Sequence, residues 1–300
     1  MLVPDEIRKC AAFLCYKADH DIKLAGTTFF VGTPMVGTNG IQFVYLVTAR
    51  HIIDGIRRKS TDQMVYVRVN MRDKPAQLVK FPIERWLFHP QDAAVDVAIT
   101  PWAPPADVVD YLTIPVSMAA TDEVISREGI GIGDEVCLTG LFVNHYGQQR
   151  NLPIVRIGNI ALMPEEPVQT QDLGFIDAFL VEARSIGGLS GSPVFVHLAG
   201  IRRVGKKSQL KGSVFYWLGL MHGHWDLPVS DIDALVKDTL SNQRVNMGIA
   251  IVVPVSKILE VLNRGELTEV RKREGERMRK EKTKAEQGQK EEVGKGDKNG

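Results

Sequence analysis

The stretch Ile186-Gly187-Gly188-Leu189-Ser190-Gly191-Ser192-Pro193-Val194-Phe195 decides how the rest of the chain is read. Glycines on both sides of a serine let the backbone take positive φ and approach another chain closely. A turn of this kind can aim two N–H groups at one point while exposing the Ser190 hydroxyl, which is what stabilising an oxyanion requires. The element after the turn separates two fold classes. Pro193-Val194-Phe195-Val196 reads as strand, so the turn is not the strand–turn–helix elbow of an α/β hydrolase. Taken alone, a glycine-rich turn is a weak signal.

Around it lies a series of short runs rich in Val, Ile, Phe, Tyr or Thr: Glu135–Leu141, Ile154–Leu162, Phe175–Glu182, Pro193–His197, Val214–Met221 and Gly248–Val253. A similar series precedes it: Ala11–Tyr16, Thr27–Val31, Ile41–Thr48, Met64–Met71, Gln77–Phe81 and Val95–Thr100. Between the two, Pro101, Pro104 and Pro105 fall within five residues and cannot continue a ladder, which marks a connection. Two series of about six strands predict two small barrels or sandwiches. Sequence support for long helices is thin. The best late helix is Ser256–Asn263, with Ser256 as its cap and Ile258, Leu259, Val261 and Leu262 as its apolar face.

Composition narrows the function classes. The 300 residues are 44% hydrophobic and 24% charged, which excludes a fully disordered or collagen-like chain. Residues 264–300 hold 12 Lys+Arg and 9 Asp+Glu, leaving 25 and 27 for residues 1–263, so the body is no basic nucleic-acid platform. The tail from Arg264 is expected to be charged and flexible, with a short exposed helix near Glu266–Lys284; contact with a partner protein is the minor alternative to a solvated segment. Cys10, Cys15 and Cys137 have no metal-ligand spacing and read as small buried hydrophobes of a reduced compartment. With no secretory signal read at the start and no run near the ~18 apolar residues of a membrane helix, a cytoplasmic protein without membrane contact is expected.

Two further segments carry chemistry. In Tyr45-Leu46-Val47-Thr48-Ala49-Arg50-His51, an apolar strand runs into a histidine at a turn; on its own such a histidine is more often structural. In Ala94-Val95-Asp96-Val97-Ala98-Ile99, an aspartate inside an apolar run must be desolvated, so it needs donors, which the imidazole of His51 would supply. The bland alternative is an aspartate capping a turn.

Together, in the order His, Asp, Ser, these segments resemble the chymotrypsin/trypsin-like serine peptidases. Thr48-Ala49-Arg50-His51 is similar to that family's Thr-Ala-Ala-His, Val95-Asp96-Val97-Ala98 to its Asp-Ile/Val-Ala, and Gly188-Leu189-Ser190-Gly191-Ser192-Pro193 to its Gly-Asp-Ser-Gly-Gly-Pro. Leu218-Gly219-Leu220-Met221-His222-Gly223 resembles the strand beside the substrate backbone, and Asn246-Met247-Gly248-Ile249-Ala250 the closing strand before the C-terminal helix. The resemblance covers about residues 10–263. It implies an all-β fold of two six-stranded barrels with a short C-terminal helix, residues 1–115 carrying His51 and Asp96 and residues 116–263 carrying Ser190.

The resemblance further implies a serine endopeptidase acting on polypeptides, with no cofactor and no metal. Ser190 would be the nucleophile, His51 the base and Asp96 its orienting group, with the N–H groups of Gly188 and Ser190 as oxyanion donors. Leu220, Met221, His222 and Gly223 would face the substrate. Leu189 replaces an aspartate that secreted members pair with a freed N-terminus, which places the chain nearer the bacterial Deg-type and viral branches, without zymogen activation. His222 falls near a serine that helps hold the aspartate. Arg184 falls near the specificity pocket, which would favour apolar or acidic substrate side chains. The competing expectations are a silent fold that binds peptides or partners, and a peptidase that cleaves its own tail once. His222 and His224 as metal ligands lack a third partner in sequence. Gly131-Ile132-Gly133 precedes a strand and so forms no dinucleotide loop. Arg202, Arg203, Lys206, Lys207 and Lys211 read as a solvated basic hairpin tip.

Overall fold

The computed structural model describes residues 1–35, 41–170, 173–183, 188–204, 207–228 and 244–296, without the side chains of 203–207, 209, 226–247 and 281–296. Helix α1 (Asp5–Lys9) places Asp5 and Glu6 in its first turn and Arg8 and Lys9 in its last, matching its dipole, and buries Ile7. Strands β1 (Ala11–Ala18) and β2 (Asp21–Pro34) form a hairpin closed by Asp19-His20, with Asp19 at φ 54°. β3 (Gln42–Thr48), β4 (Met64–Val69), β5 (Gln77–Pro82), β6 (Leu87–Phe88), β7 (Ala98–Pro101) and β8 (Ile114–Pro115) complete an eight-stranded sheet. Its order is β5-β4-β1-β2-β3-β7-β6, with β8 alongside β2.

The second sheet closes. β9 (Glu135–Gly140), β10 (Ile154–Leu162), β13 (Phe179–Glu182), β14 (Pro193–Val204), β15 (Lys207–Pro228) and β16 (Arg244–Pro254) form a barrel in the order β10-β13-β16-β15-β14-β9. A separate hairpin pairs β11 (Val168–Thr170) with β12 (Gly174–Ile176). The protein is thus mostly β, with a first half built as an eight-stranded half-barrel sheet that ends at β5 and β6 and a second half closed as a six-stranded barrel.

Each strand series supplies a core by alternation. Val136, Leu138, Phe179, Val181, Val194, Val196, Leu218 and Val252 fill the second barrel. The other cluster fills the first sheet and runs into the junction, where Phe29 meets Trp217 edge-on with ring centroids 5.7 Å apart. The halves are also tied by Asn151, which accepts from Arg68 Nη1 at 2.7 Å and donates through Nδ2 to the Arg68 carbonyl at 2.6 Å.

Four expectations need correction. Arg50–Lys59 is helix α2, not a turn: Ile52, Ile53 and Ile56 are buried, so packing overrides their modest helix propensity. α3 (Asp122–Glu128) is capped by Thr121, whose hydroxyl accepts from Val124 N, and stopped by Gly129 in the left-handed region. α4 (Val255–Leu262) starts one residue before Ser256, with Pro254 at the cap position and no side-chain cap. The tail forms α5 (Gly265–Gly296), longer than expected and anchored at its start. There Leu267 is buried, and Arg271 donates to the Tyr45 hydroxyl at 3.0 Å and the Leu262 carbonyl at 2.7 Å.

Two of the five cations of the basic ribbon are structurally engaged. Arg202 pairs with Asp134 and Lys211 with Glu128. The side chains of Arg203, Lys206 and Lys207 lie outside the described residues.

Candidate active site

Strand β3 ends at Thr48, and α2 begins two residues later, putting His51 in the first turn of the helix. N–H groups in a first turn lack partners within their helix. That of His51 donates to Asp96 Oδ1 at 2.8 Å. The His51 ring turns the same way, its Nδ1 lying 2.7 Å from Asp96 Oδ2. Asp96 is not in a ladder. It stands just before β7, at the centre of a tight turn in which Val97 N donates to the Val95 carbonyl at 2.9 Å. With Val95 and Val97 both buried, Asp96 is 0% exposed.

A third donor comes from the other half of the molecule. His222 Nδ1 lies 2.5 Å from Asp96 Oδ2. Burial by itself would push the Asp96 carboxyl up. The charge of His51 and the hydrogen bonds from His222 and His51 outweigh it and hold the group well below the usual carboxylate range. The His51 and His222 rings meet edge-on with centroids 5.2 Å apart.

Ser190 sits in a turn fixed by strands β2 and β15. Thr27 N donates to the Ser190 carbonyl at 3.0 Å, and Thr27 Oγ1 donates to the Gly188 carbonyl at 2.9 Å while accepting from Leu141 N at 2.9 Å. Gly191 N donates to the Met221 carbonyl, and Met221 N to the Ser192 carbonyl, both at 2.8 Å. Gly188 and Gly191 have φ of 100° and 79°. A Cβ on Gly191 would lie 2.2 Å from the Thr27 carbonyl and 3.0 Å from Ile52 Cδ1, so the turn rests directly against the residue after His51. Among the described residues, neither the Gly188 nor the Ser190 N–H meets an acceptor.

The structure therefore joins His51, Asp96 and His222 by hydrogen bonds and brings the Ser190 turn against α2. Among the described residues it forms no hydrogen bond between Ser190 and His51, a contact that often tightens only with substrate bound. Leu189 is buried in the second barrel's core, an apolar anchor for the turn. Leu220 and Met221 are interior, at 0% and 1% exposure, and the Met221 main chain is bonded to Gly191 and Ser192. Their side chains face the core rather than the surface. His222 turns to Asp96, and Gly223 pairs with Ile251 of β16. Arg184, Ile186 and Gly187 lie outside the described residues. Sequence reasoning missed Thr27 altogether; the only signal was a Thr-Thr pair inside an apolar run.

His51, Asp96 and His222 also have ligand atoms within 4.8 Å of one another. Tetrahedral zinc with N and O ligands needs them about 3.3 Å apart. The Nδ1–Oδ2 separations of 2.7 and 2.5 Å are those of hydrogen bonds. A cavity of about 150 Å³ adjoins Asp96, lined by Asp92, Val95, Phe175, Asp177 and Lys257 among others, and does not include Ser190. No helix among the described residues is long and apolar enough to cross a membrane.

No protein-family model and no curated protein match the sequence. Solved structures similar to it include Deg5, at 11% identity and TM-score 0.45, covering 85% of this chain and 88% of that one. Another is the inactive form of Rv3671c from M. tuberculosis H37Rv, at 14% identity and TM-score 0.42, covering 86% and 87%. A third is the drosophila Grass clip serine protease of the Toll pathway, at 15% identity and TM-score 0.43, covering 87% and 70%. At TM-scores under 0.5 these likenesses carry no weight for activity or specificity.

Proposed function

We propose that the chain is a serine endopeptidase. The observation that carries the reading is Asp96: a fully buried carboxylate bonded to both the main chain and the ring of His51, on a helix against which the Ser190 turn packs. With Nδ1–H held by Asp96, His51 keeps its lone pair on Nε2. That nitrogen accepts the Ser190 proton as Oγ attacks a peptide carbonyl. The oxyanion takes the N–H groups of Gly188 and Ser190, donors whose individual loss costs on the order of 10²–10³ in turnover. His51 then gives its proton to the leaving amine, and water repeats the cycle on the acyl-enzyme. The substrate is a polypeptide lying between the two halves, and Gly223 rather than Leu220 or Met221 lines its path. The three buried free cysteines fit a reducing compartment.

The test is labelling by a fluorophosphonate, read by intact mass and peptide mapping. The parent takes up one adduct, at Ser190, and Ser190→Ala takes up none. Mapping matters because exposed Ser213 also lies 2.9 Å from a histidine, His197 Nε2. An adduct on Ser213 alone would refute the assignment. The second reading is a peptide-binding module without turnover. Stable peptide complexes with no labelling and no cleavage would select it.

A further inference from the structure

We propose that His222 is a positioning residue that shares the Asp96 carboxylate with His51, so that the site is built on one acid and two imidazoles; this rests on the peptidase reading above. The placement of His222 is a feature of the β15–β16 ladder. Met221 pairs with Val252 and Gly223 with Ile251, so His222 is the extra residue of a bulge. Bulges re-aim a side chain. Here the imidazole leaves the barrel wall and reaches a carboxylate 126 residues earlier in the chain.

Asp96 Oδ1 is spent on the His51 main chain, and both rings address Oδ2 through Nδ1. An ionised carboxylate accepts only, so both Nδ1 atoms must carry hydrogen. His222 therefore stops Asp96 from rotating and fixes its own tautomer and that of His51 together. It also adds a second basic Nε2 to the cluster. When His51 takes the serine proton, a neutral His222 is a tolerable neighbour and a protonated one repels it. The other charged groups near the cluster are Arg50 and Asp54, paired on α2 beside His51, and Asp92, Asp177 and Lys257, which line the cavity beside Asp96, with Lys257 also 3.3 Å from Glu260. His224 lies two residues along β15. None of these is hydrogen-bonded to Asp96 in the described structure.

Two variants separate positioning from bulk. His222→Asn keeps an N–H near the place of Nδ1 and cannot titrate, whereas His222→Ala removes the donor. The rate of fluorophosphonate labelling at Ser190 is followed against pH. At about pH 8, His222→Ala slows labelling by roughly tenfold without loss of probe affinity, and His222→Asn restores it to within about threefold. Histidine NMR gives a readout independent of labelling: two low-field imidazole N–H signals in the parent and one in His222→Asn. An alanine variant labelled at the parent's rate, or a single low-field signal in the parent, would overturn the inference. A parent that shows both signals but no labelling would refute the nucleophile reading and leave the shared carboxylate standing.

Discussion

Replacing Gly191 by alanine tests how the two halves are held in register at the serine turn. The new methyl would stand 2.2 Å from the Thr27 carbonyl oxygen, 2.5 Å from Thr48 Oγ1 and 3.0 Å from Ile52 Cδ1. Two of these contacts are with groups that cannot swing aside. The carbonyl is backbone of β2, and the threonine hydroxyl is itself bonded to that carbonyl at 2.7 Å. The residue also sits at φ 79°, where a side chain costs about 1–2 kcal/mol. Overpacking a close contact adds about 1–3 kcal/mol. The expected loss is therefore about 2–5 kcal/mol, or roughly 5–15 °C in Tm for a body of this size. Gly131→Ala is the control, since nothing lies within 4 Å of its Cβ position. Thermal unfolding followed by circular dichroism measures both. Gly191→Ala should also lose Ser190 labelling below its own Tm, because relief of the clash moves the turn off β2 and breaks the Thr27–Ser190 bond. A variant within about 1 °C of the parent, with labelling intact, would show that the turn does not rest on β2 as described.

Three other outcomes rest on the same structure. Asp96→Asn offers one acceptor oxygen to three donors, so the His51 ring loses its fixed tautomer; labelling should fall by about 10⁴ with the fold retained, as checked by probe kinetics and circular dichroism. Glu128 is held down to about 2 by the Lys211 and Arg127 hydrogen bonds. Its contribution to stability is thus present above the ordinary carboxylate value and lost as pH falls toward 2, so the Tm gap between the parent and Glu128→Gln should close between about pH 5 and 2. Burial pushes the Cys15 and Cys137 thiols up to about 12 and raises Cys10 as well. Iodoacetamide at about pH 8 should leave the folded protein unmodified and alkylate all three thiols in denaturant, as mass spectrometry would show.

The strands were legible because each carries its own signal. β4 alternates half-buried and buried positions, and β1, β3, β9 and β10 are dense in branched or aromatic residues between turns. Helix α2 was not legible: three isoleucines and a glycine argue against a helix, and only packing under β1 and β2 decides for one. Helix α3 had readable ends, Thr121 and Gly129, within a stretch that otherwise reads as mixed connection. Sequence alone predicts that the first half closes like the second. Its extra strands, β6 and β8, are two residues each, too short to leave a pattern. At the site, the surroundings of His51 and Asp96 could be anticipated because a carboxylate in an apolar run demands a donor. For His222 the resemblance suggested only a place near the aspartate; that its ring reaches Asp96 depends on the bulge against β16, which no spacing in the sequence records.

Thr27 and His222 each serve the opposite half of the chain. The first steadies the loop that presents the serine hydroxyl, and the second braces the acid behind the base. A polypeptide still emerging from the ribosome, or a piece severed at the prolines near residue 104, would carry its own reactive groups without the neighbours that give them direction. Such fragments should be chemically quiet, and the proposed activity should arise in a single step, when the two parts first embrace.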